Sequence, residues 1–273
     1  MEPSGVWTAQ RIRGAKGRER LACVTATDAA FARLLDEAGV PLILVGDSLA
    51  MTVLGHATTL PATMDVMVHH TAAVVRGTRR ALVVADMPFL SFHGAPEHAV
   101  LNAGRFLQEG GAGAVKIEGG AFRAPTVERL VRNGIPVLGH IGLLPQQVRA
   151  TGGYRVQGRT PAAAEALTED ARRLEAAGVF ALILEGMPAV VAASITAEIG
   201  VPTIGIGAGP GCDGQIMVLH DLIGMTPDPA PRFVRRYAAV GDVIRGAAST
   251  FMRDVASGDY PSAAESYRPR PAE

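Results

Sequence analysis

Short apolar segments rich in Val, Ile and Leu recur along the chain, and a longer amphipathic stretch follows nearly every one. Strands are expected near 21–27 (LACVTAT), 41–47 (PLILVGD), 81–87 (ALVVADM), 114–119 (AVKIEG), 136–142 (PVLGHIG), 181–186 (ALILEG), 202–208 (PTIGIGA) and, with the weakest pattern, 218–224. Helical periodicity marks 28–38, 64–77, 96–108, 124–133, 161–177, 188–199 and a long terminal region, 231–256. Strands this apolar are buried on both faces, which indicates a parallel sheet covered by helices. Eight strand–helix units is the closing number of a (β/α)8 barrel, and 273 residues is close to the usual size. An open doubly wound sheet is the alternative. No linker-like shift in composition divides the chain. One α/β domain over 1–273 is expected, with 1–20 as a solvated basic lead-in (Arg11, Arg13, Lys16, Arg18, Arg20) and 261–273 as a flexible tail.

Charge narrows the class of function. Lys+Arg and Asp+Glu are both 26, and aromatic residues are 5%, so the chain offers neither the basic surface nor the stacking platforms of a nucleic-acid binder. No apolar run approaches the ~18 residues of a membrane span, and the N-terminus lacks the apolar core of a signal peptide. Cys23 and Cys212 are far apart in sequence, which argues against a disulfide framework. A cytoplasmic setting is expected.

The apolar strands end in charge. The second ends LVGD (Asp47), the third VVAD (Asp86), the fourth carries Lys116 and Glu118, the fifth His140, and the sixth ends LILE (Glu185). In a parallel barrel every carboxyl end lies on the same face, which is where active sites form. A single acid at a strand end is often a helix cap, as Asp28 is expected to be. Several converging there would repel one another and lose hydration unless a cation joined them. An all-oxygen set suits a hard ion such as Mg²⁺, not a thiolate or His-rich zinc site.

Lys116 and Glu118 are two apart, so both point into the barrel while Val115 and Ile117 point out. Only two of the 26 basic residues are lysine, Lys16 and Lys116. A compact ammonium kept where the chain otherwise uses arginine fits binding of a carboxylate or carbonyl oxygen. Pairing with Glu118 alone is the structural alternative.

Other features carry less. Gly209, Gly211 and Gly214 match G-x-G-x-x-G, but after the seventh strand, where a dinucleotide site is not expected. A tight turn or a backbone cradle for an anion are the readings left there. His69, His70, His93 and His98 have no metal-ligand spacing. The 144–160 stretch is a long mouth connection, with Tyr154, Arg155 and Arg159 as candidate lid residues.

At these motifs the sequence resembles the ketopantoate hydroxymethyltransferase family. The resemblance is carried by VGDSLAMTVLGHATTLP (45–61), HTAAVVRG (70–77), ADMPF (85–89), AVKIEGG (114–120), GHIGLLPQ (139–146), GGYRVQGR (152–159), LEAAGVFALILEGMP (174–188), IGIGAGPGCDGQIMVLHDLIGM (204–225) and PRFVRRYA (231–238). It implies a (β/α)8 barrel of the phosphoenolpyruvate-mutase type, assembled as a homodecamer of two pentameric rings. It implies transfer of a hydroxymethyl group from 5,10-methylenetetrahydrofolate to 3-methyl-2-oxobutanoate, giving 2-dehydropantoate in pantothenate synthesis. Asp47, Asp86 and Glu118 match the Mg²⁺ site. Asp47, Ser48, Asp86 and Lys116 match the positions that bind the 2-oxo acid. Glu185 matches the catalytic base, and His140 an active-site histidine.

Thr27 and Phe92 stand where the family pattern has tyrosine, His69 replaces a further aromatic, and Gly186 follows Glu185 where Cys or a small apolar residue is frequent. A paralogue acting on another 2-oxo acid is one alternative. A 2-oxo-acid lyase of the same superfamily is the other, although KIEGGAFRAP lacks the loop cysteine common in that class.

Overall fold

A computed structural model describes residues 5–227 and 229–268. The first four residues of the expected lead-in and the last five of the expected tail lie outside these. The chain forms two compact units, Met1–Leu219 and His220–Glu273.

The first unit is a closed barrel of eight parallel strands in sequence order. They are β1 (Leu21–Thr25), β2 (Leu42–Val45), β3 (Leu82–Asp86), β4 (Ala114–Glu118), β5 (Val137–Gly142), β6 (Ala181–Glu185), β7 (Thr203–Ile206) and β8 (Gly214–Met217). The helices are α1 (Ala9–Gly14), α2 (Ala29–Glu37), α3 (Leu49–Thr52), α4 (Met64–Gly77), α5 (Pro96–Gln108), α6 (Ala124–Arg132), α7 (Val148–Thr151), α8 (Pro161–Ala177) and α9 (Ala189–Glu198), followed by α10 (Leu219–Leu222) and, in the second unit, α11 (Val240–Ser257). The expected barrel is therefore present and the open sheet is not. Asp28 caps α2, its Oδ1 accepting from the N–H groups of Ala30 and Phe31 at 2.8 and 2.9 Å.

Strand alternation sorts the side chains into two cores. Val45, Val83, Val115, Ile117, Leu182 and Leu184 face out and pack beneath the helices. Leu21, Leu42, Leu82, Leu138, Ile204 and Ile216 fill the interior. The interior is apolar near the amino ends and turns polar at the carboxyl ends. Register fixes the neighbours in that last layer: Asp86 lies opposite Lys116, Glu118 opposite His140, and Gly142 opposite Glu185.

Three segments differ from the sequence-based expectation. The eighth strand is Gly214–Met217, not 218–224, which instead begins with α10. Barrel closure, with Leu21 opposite Gly214 and Val24 opposite Met217, selects a four-residue strand without an apolar run. No helix separates β7 from β8, because Gly209 and Gly211 pack directly on Ala189 and Ala193 of α9. The terminal helix starts at Val240, not 231. The N–H groups of Tyr237 and Val240 instead donate to the Leu222 and Ile223 carbonyls at 2.8 Å each. Within the lead-in, the arginines are exposed as expected, but Ile12 of α1 is fully buried in the interior core. Lys16 Nζ reaches Asp213 Oδ2 at 2.9 Å.

Candidate functional site

At the carboxyl ends, Asp47, Asp86 and Glu118 are all buried, and one oxygen of each lies within 4.8 Å of the others. Asp47 sits just past β2, while Asp86 and Glu118 end β3 and β4. Lys116 Nζ donates to Asp86 Oδ1 and Oδ2 at 2.8 Å each and to Glu118 Oε1 at 3.1 Å. The Asp47 N–H donates to Asp86 Oδ2 at 3.1 Å. Lys116 therefore neutralises two acids at once, which is more than the bare pairing with Glu118.

The electrostatics are those of a group short of positive charge. Burial, then the Asp86 and Glu118 charges, push the Asp47 carboxyl well above the usual carboxylate range. Burial also raises Asp86, with Lys116 opposing. Burial acts to raise Glu118 too, but Lys116 and His140 outweigh it and hold Glu118 at about 2. Burial acts to lower Lys116, and the charges of Asp86, Glu118 and Asp47 reverse that and raise it. Three buried carboxylates share one ammonium.

His140 bridges the acids to Glu185. Its Nδ1 is 3.6 Å from Glu118 Oε1 and its Nε2 is 3.1 Å from Glu185 Oε2. Burial and Lys116 pull the imidazole down, yet the two glutamates outweigh them and lift it to about 9.

Gln146 was not among the residues singled out from sequence. Its side-chain Nε2 donates to Asp47 Oδ2 and to the Met87 carbonyl at 2.9 Å each, and its backbone N–H donates to Glu118 Oε2 at 3.1 Å. One residue thus grips two of the three acids. The only trace in sequence is an amide directly after Leu-Pro in the mouth connection. Its own Oε1 is buried with no hydrogen-bond partner.

The donors suit a hard cation on these grounds. The ligands are all oxygen, as such ions require. Asp47 Oδ1 accepts no hydrogen bond among the described residues.

A cavity of about 110 Å³ opens above this cluster, lined by Asp47, Ser48, Asp86, Lys116, Glu118 and Glu185 on the polar side. Leu44, Ile183, Ile206, Ile216 and Val218 form an apolar wall. Ser48 stands at the start of α3, but its side chain makes no capping bond, which leaves the hydroxyl free. All the site residues expected from sequence therefore converge on one cavity.

The weaker candidates separate. Of the three proposed lid residues, Tyr154 has its phenol pushed up by burial, then by the Asp47, Glu185 and Glu118 charges. Arg155 and Arg159 do not line the cavity. His70 is structural, with Nδ1 2.7 Å from the Thr27 carbonyl oxygen. The four departures from the family pattern, Thr27, His69, Phe92 and Gly186, also lie outside the cavity lining. Among the described residues, no helix is long and apolar enough to cross a membrane.

A sequence profile of the ketopantoate hydroxymethyltransferase family matches residues 7–263. The chain is 56% identical over 247 residues to the 3-methyl-2-oxobutanoate hydroxymethyltransferase of Koribacter versatilis (strain Ellin345), covering 90% of this chain and 84% of that protein. It is 53% identical over 260 residues to the protein of the same name from Oleidesulfovibrio alaskensis (strain G20), covering 95% and 90%. In fold it is similar to 2,3-dimethylmalate lyase, a PEP mutase/isocitrate lyase superfamily member, with TM-score 0.61 at 16% identity over 96% of this chain and 92% of that one. It is equally similar to phosphoenolpyruvate phosphomutase from Streptomyces platensis subsp. rosaceus, with TM-score 0.61 at 14% identity over 94% and 92%. Those two likenesses concern architecture alone. Identity above one half across nine-tenths of its length makes the chain a member of the ketopantoate hydroxymethyltransferase family.

Proposed function

We propose that the protein converts 3-methyl-2-oxobutanoate, 5,10-methylenetetrahydrofolate and water to 2-dehydropantoate and tetrahydrofolate, with Mg²⁺ held by Asp47, Asp86 and Glu118. The observation that carries this reading is the burial of three carboxylates around Lys116 at the floor of a cavity that also presents Glu185.

When bound, Mg²⁺ draws electron density from the keto group and acidifies the neighbouring C3–H. The remaining work falls to side chains. Ser48 offers its hydroxyl to the carboxylate end of the 2-oxo acid, beside Asp47 and Asp86 of the metal site. The apolar wall of Leu44, Ile183 and Ile216 receives its branched alkyl end. Glu185 takes the C3 proton. His140, with Nε2 3.1 Å from Glu185 Oε2, sets its imidazole beside that carboxylate. Lys116 presents a fixed positive charge to the oxygen on which enolate charge develops. The C3 carbon then bonds to the one-carbon unit as its bonds to the folate nitrogens break. Water adds its oxygen to that carbon as the product hydroxyl; of the two water protons and the one Glu185 took from C3, one stays on the hydroxyl and two end on the nitrogens of tetrahydrofolate.

The cavity supports a small branched substrate. The departures at Thr27 and Phe92 fall outside it, which favours 3-methyl-2-oxobutanoate over a paralogue's substrate. A cytoplasmic setting agrees with two buried, unpaired thiols, Cys23 and Cys212. A homodecamer of two pentameric rings is the proposed assembly. It agrees with α11, which buries none of its residues and exposes Val243, Ile244, Phe251, Met252 and Val255 at helical spacing.

The test is a folate-dependent assay with 3-methyl-2-oxobutanoate, with and without Mg²⁺. Product only with the metal is expected. No turnover with the metal present contradicts the reading.

A further inference from the structure

The inner cavity, at about 110 Å³, is far smaller than the ~300–1,000 Å³ that encloses a drug-sized ligand. It takes a five-carbon acid. A folate, with two ring systems and a glutamate, must lie mostly outside it, on the rim.

One part of the rim has matching chemistry. The connection after β3 carries Phe89, Leu90, Phe92 and His93, and the turn after β4 carries Phe122 and Arg123. Phe92 and Phe89 pack on His93 with ring centroids 4.3 and 5.1 Å apart. The Arg123 guanidinium carbon lies 5.2 Å from the Phe92 ring centroid and 5.0 Å from that of Phe122. Phe122 and Arg123 fold back over Gly119, where a Cβ would meet Phe122 Cζ at 2.8 Å and Arg123 Cγ at 2.6 Å. Gly119 follows Glu118 at the carboxyl end of β4, and the Glu118 charge acts on His93, so the group lies at the same end of the barrel as the acidic centre.

Arg123 is the unsatisfied member. Its Nε is buried and has no hydrogen-bond partner. No carboxylate pairs with it among the described residues, in contrast to Lys116. A buried guanidinium donor without an acceptor is unfavourable unless a ligand completes it. Beside it Phe122 is 61% exposed, and Leu90 in the connection after β3 is 62% exposed. An open aromatic face next to an unpaired guanidinium suits a flat ring that carries a carboxylate close by.

In a folate those two groups are adjacent: the aminobenzoyl ring is joined through its amide to glutamate. The nitrogen on the other side of that ring bears the one-carbon unit. A ring resting at the Glu118 edge therefore points the methylene toward the cavity. We propose that the rim formed by Phe89, Phe122 and Arg123 is the folate docking site, with the aminobenzoyl ring on the phenylalanines and a glutamyl carboxylate on Arg123. This rests on the function proposed above and adds the place and polarity of co-substrate binding.

The test compares wild type with Arg123→Gln and Phe122→Ala in three measurements. These are KM for 5,10-methylenetetrahydrofolate, KM for 3-methyl-2-oxobutanoate, and folate-free exchange of the C3 proton in D₂O. Arg123→Gln is expected to raise the folate KM about tenfold or more, as loss of a charge-assisted hydrogen bond does. The other two measurements should stay within about twofold. On the carboxamide of 5,10-methylenetetrahydropteroate, which keeps the ring and the amide but has no carboxylate, wild type and Arg123→Gln should be alike. An unchanged folate KM overturns the proposal, and so does a defect that persists undiminished on the carboxamide. Should Arg123→Gln misfold, Phe122→Ala decides. Its side chain is exposed, and a folate KM like that of wild type would overturn the docking site. Wild-type exchange without any folate turnover contradicts the proposed function instead, so the two failures are distinct.

Discussion

Lys116 Nζ lies 2.8 Å from both carboxylate oxygens of Asp86, directly across the β3–β4 register. The ammonium fills a point between Asp86 and Glu118 that a planar guanidinium cannot occupy without displacing one of them. Lys116→Arg is expected to lower kcat by at least ~10-fold while the protein stays folded, because charge without placement does not stabilise the enolate oxygen. Near-normal kinetics would show that position is unimportant. Lys116→Met leaves the buried acids without their cation, a loss of about 3–5 kcal/mol. Urea unfolding without metal should show it, and Mg²⁺ should recover part of it.

Gln146 holds Asp47 through its amide and Glu118 through its backbone N–H. Gln146→Ala frees Asp47 Oδ2 and should weaken Mg²⁺ binding by about 10–100-fold, the usual effect of removing a partner of a metal ligand. Isothermal titration of the folded variant without substrate measures this directly. An unchanged Kd would mean that the acids organise themselves.

Burial pushes the Cys23 thiol from its ordinary 9.0 up to about 12. The folded protein therefore keeps a proton that the unfolded chain releases near pH 9. The resulting stabilisation is complete below that pH and is lost as pH rises toward 12. Cys23→Ala should flatten the alkaline fall in stability. In the wild type, iodoacetamide at pH 8.5 should label Cys23 in urea but not in the native state. Rapid native labelling of Cys23 would contradict its place in the barrel interior.

The apolar stripe on α11 is proposed to be covered by another copy of the chain. Phe251→Asp or Val243→Asp should reduce the mass measured by analytical ultracentrifugation, with the barrel's circular dichroism retained. Unchanged mass would remove α11 from the assembly surface.

Much of the barrel and its acidic layer was legible because Asp86, Lys116, Glu118 and Glu185 interrupt otherwise apolar strands near their carboxyl ends. Period-two alternation alone then orients Lys116 and Glu118 together. Gln146 was not legible, since a neutral amide in a connection leaves no periodic trace and its importance comes from reaching back to Asp47. β8 was misplaced because GQIM is a strand through its pairing with β1, not through its composition. Ile12 was hidden among arginines, and only closure of the barrel shows that it has an interior to enter. The segment from 231 has helical periodicity, yet the backbone donors of Tyr237 and Val240 find partners at Leu222 and Ile223, and the helix starts only at Val240.

Glu185 is proposed to remove the C3 proton of a 2-oxo acid held at the Asp47–Asp86–Glu118 centre. Proton NMR of 3-methyl-2-oxobutanoate in D₂O, without folate, tests it most directly. Wild type with Mg²⁺ should exchange the C3 proton for deuterium. Omitting the metal should abolish exchange, and Glu185→Gln should slow it by roughly 10²-fold or more, in line with the loss of a general base. Undiminished exchange by Glu185→Gln would contradict the account.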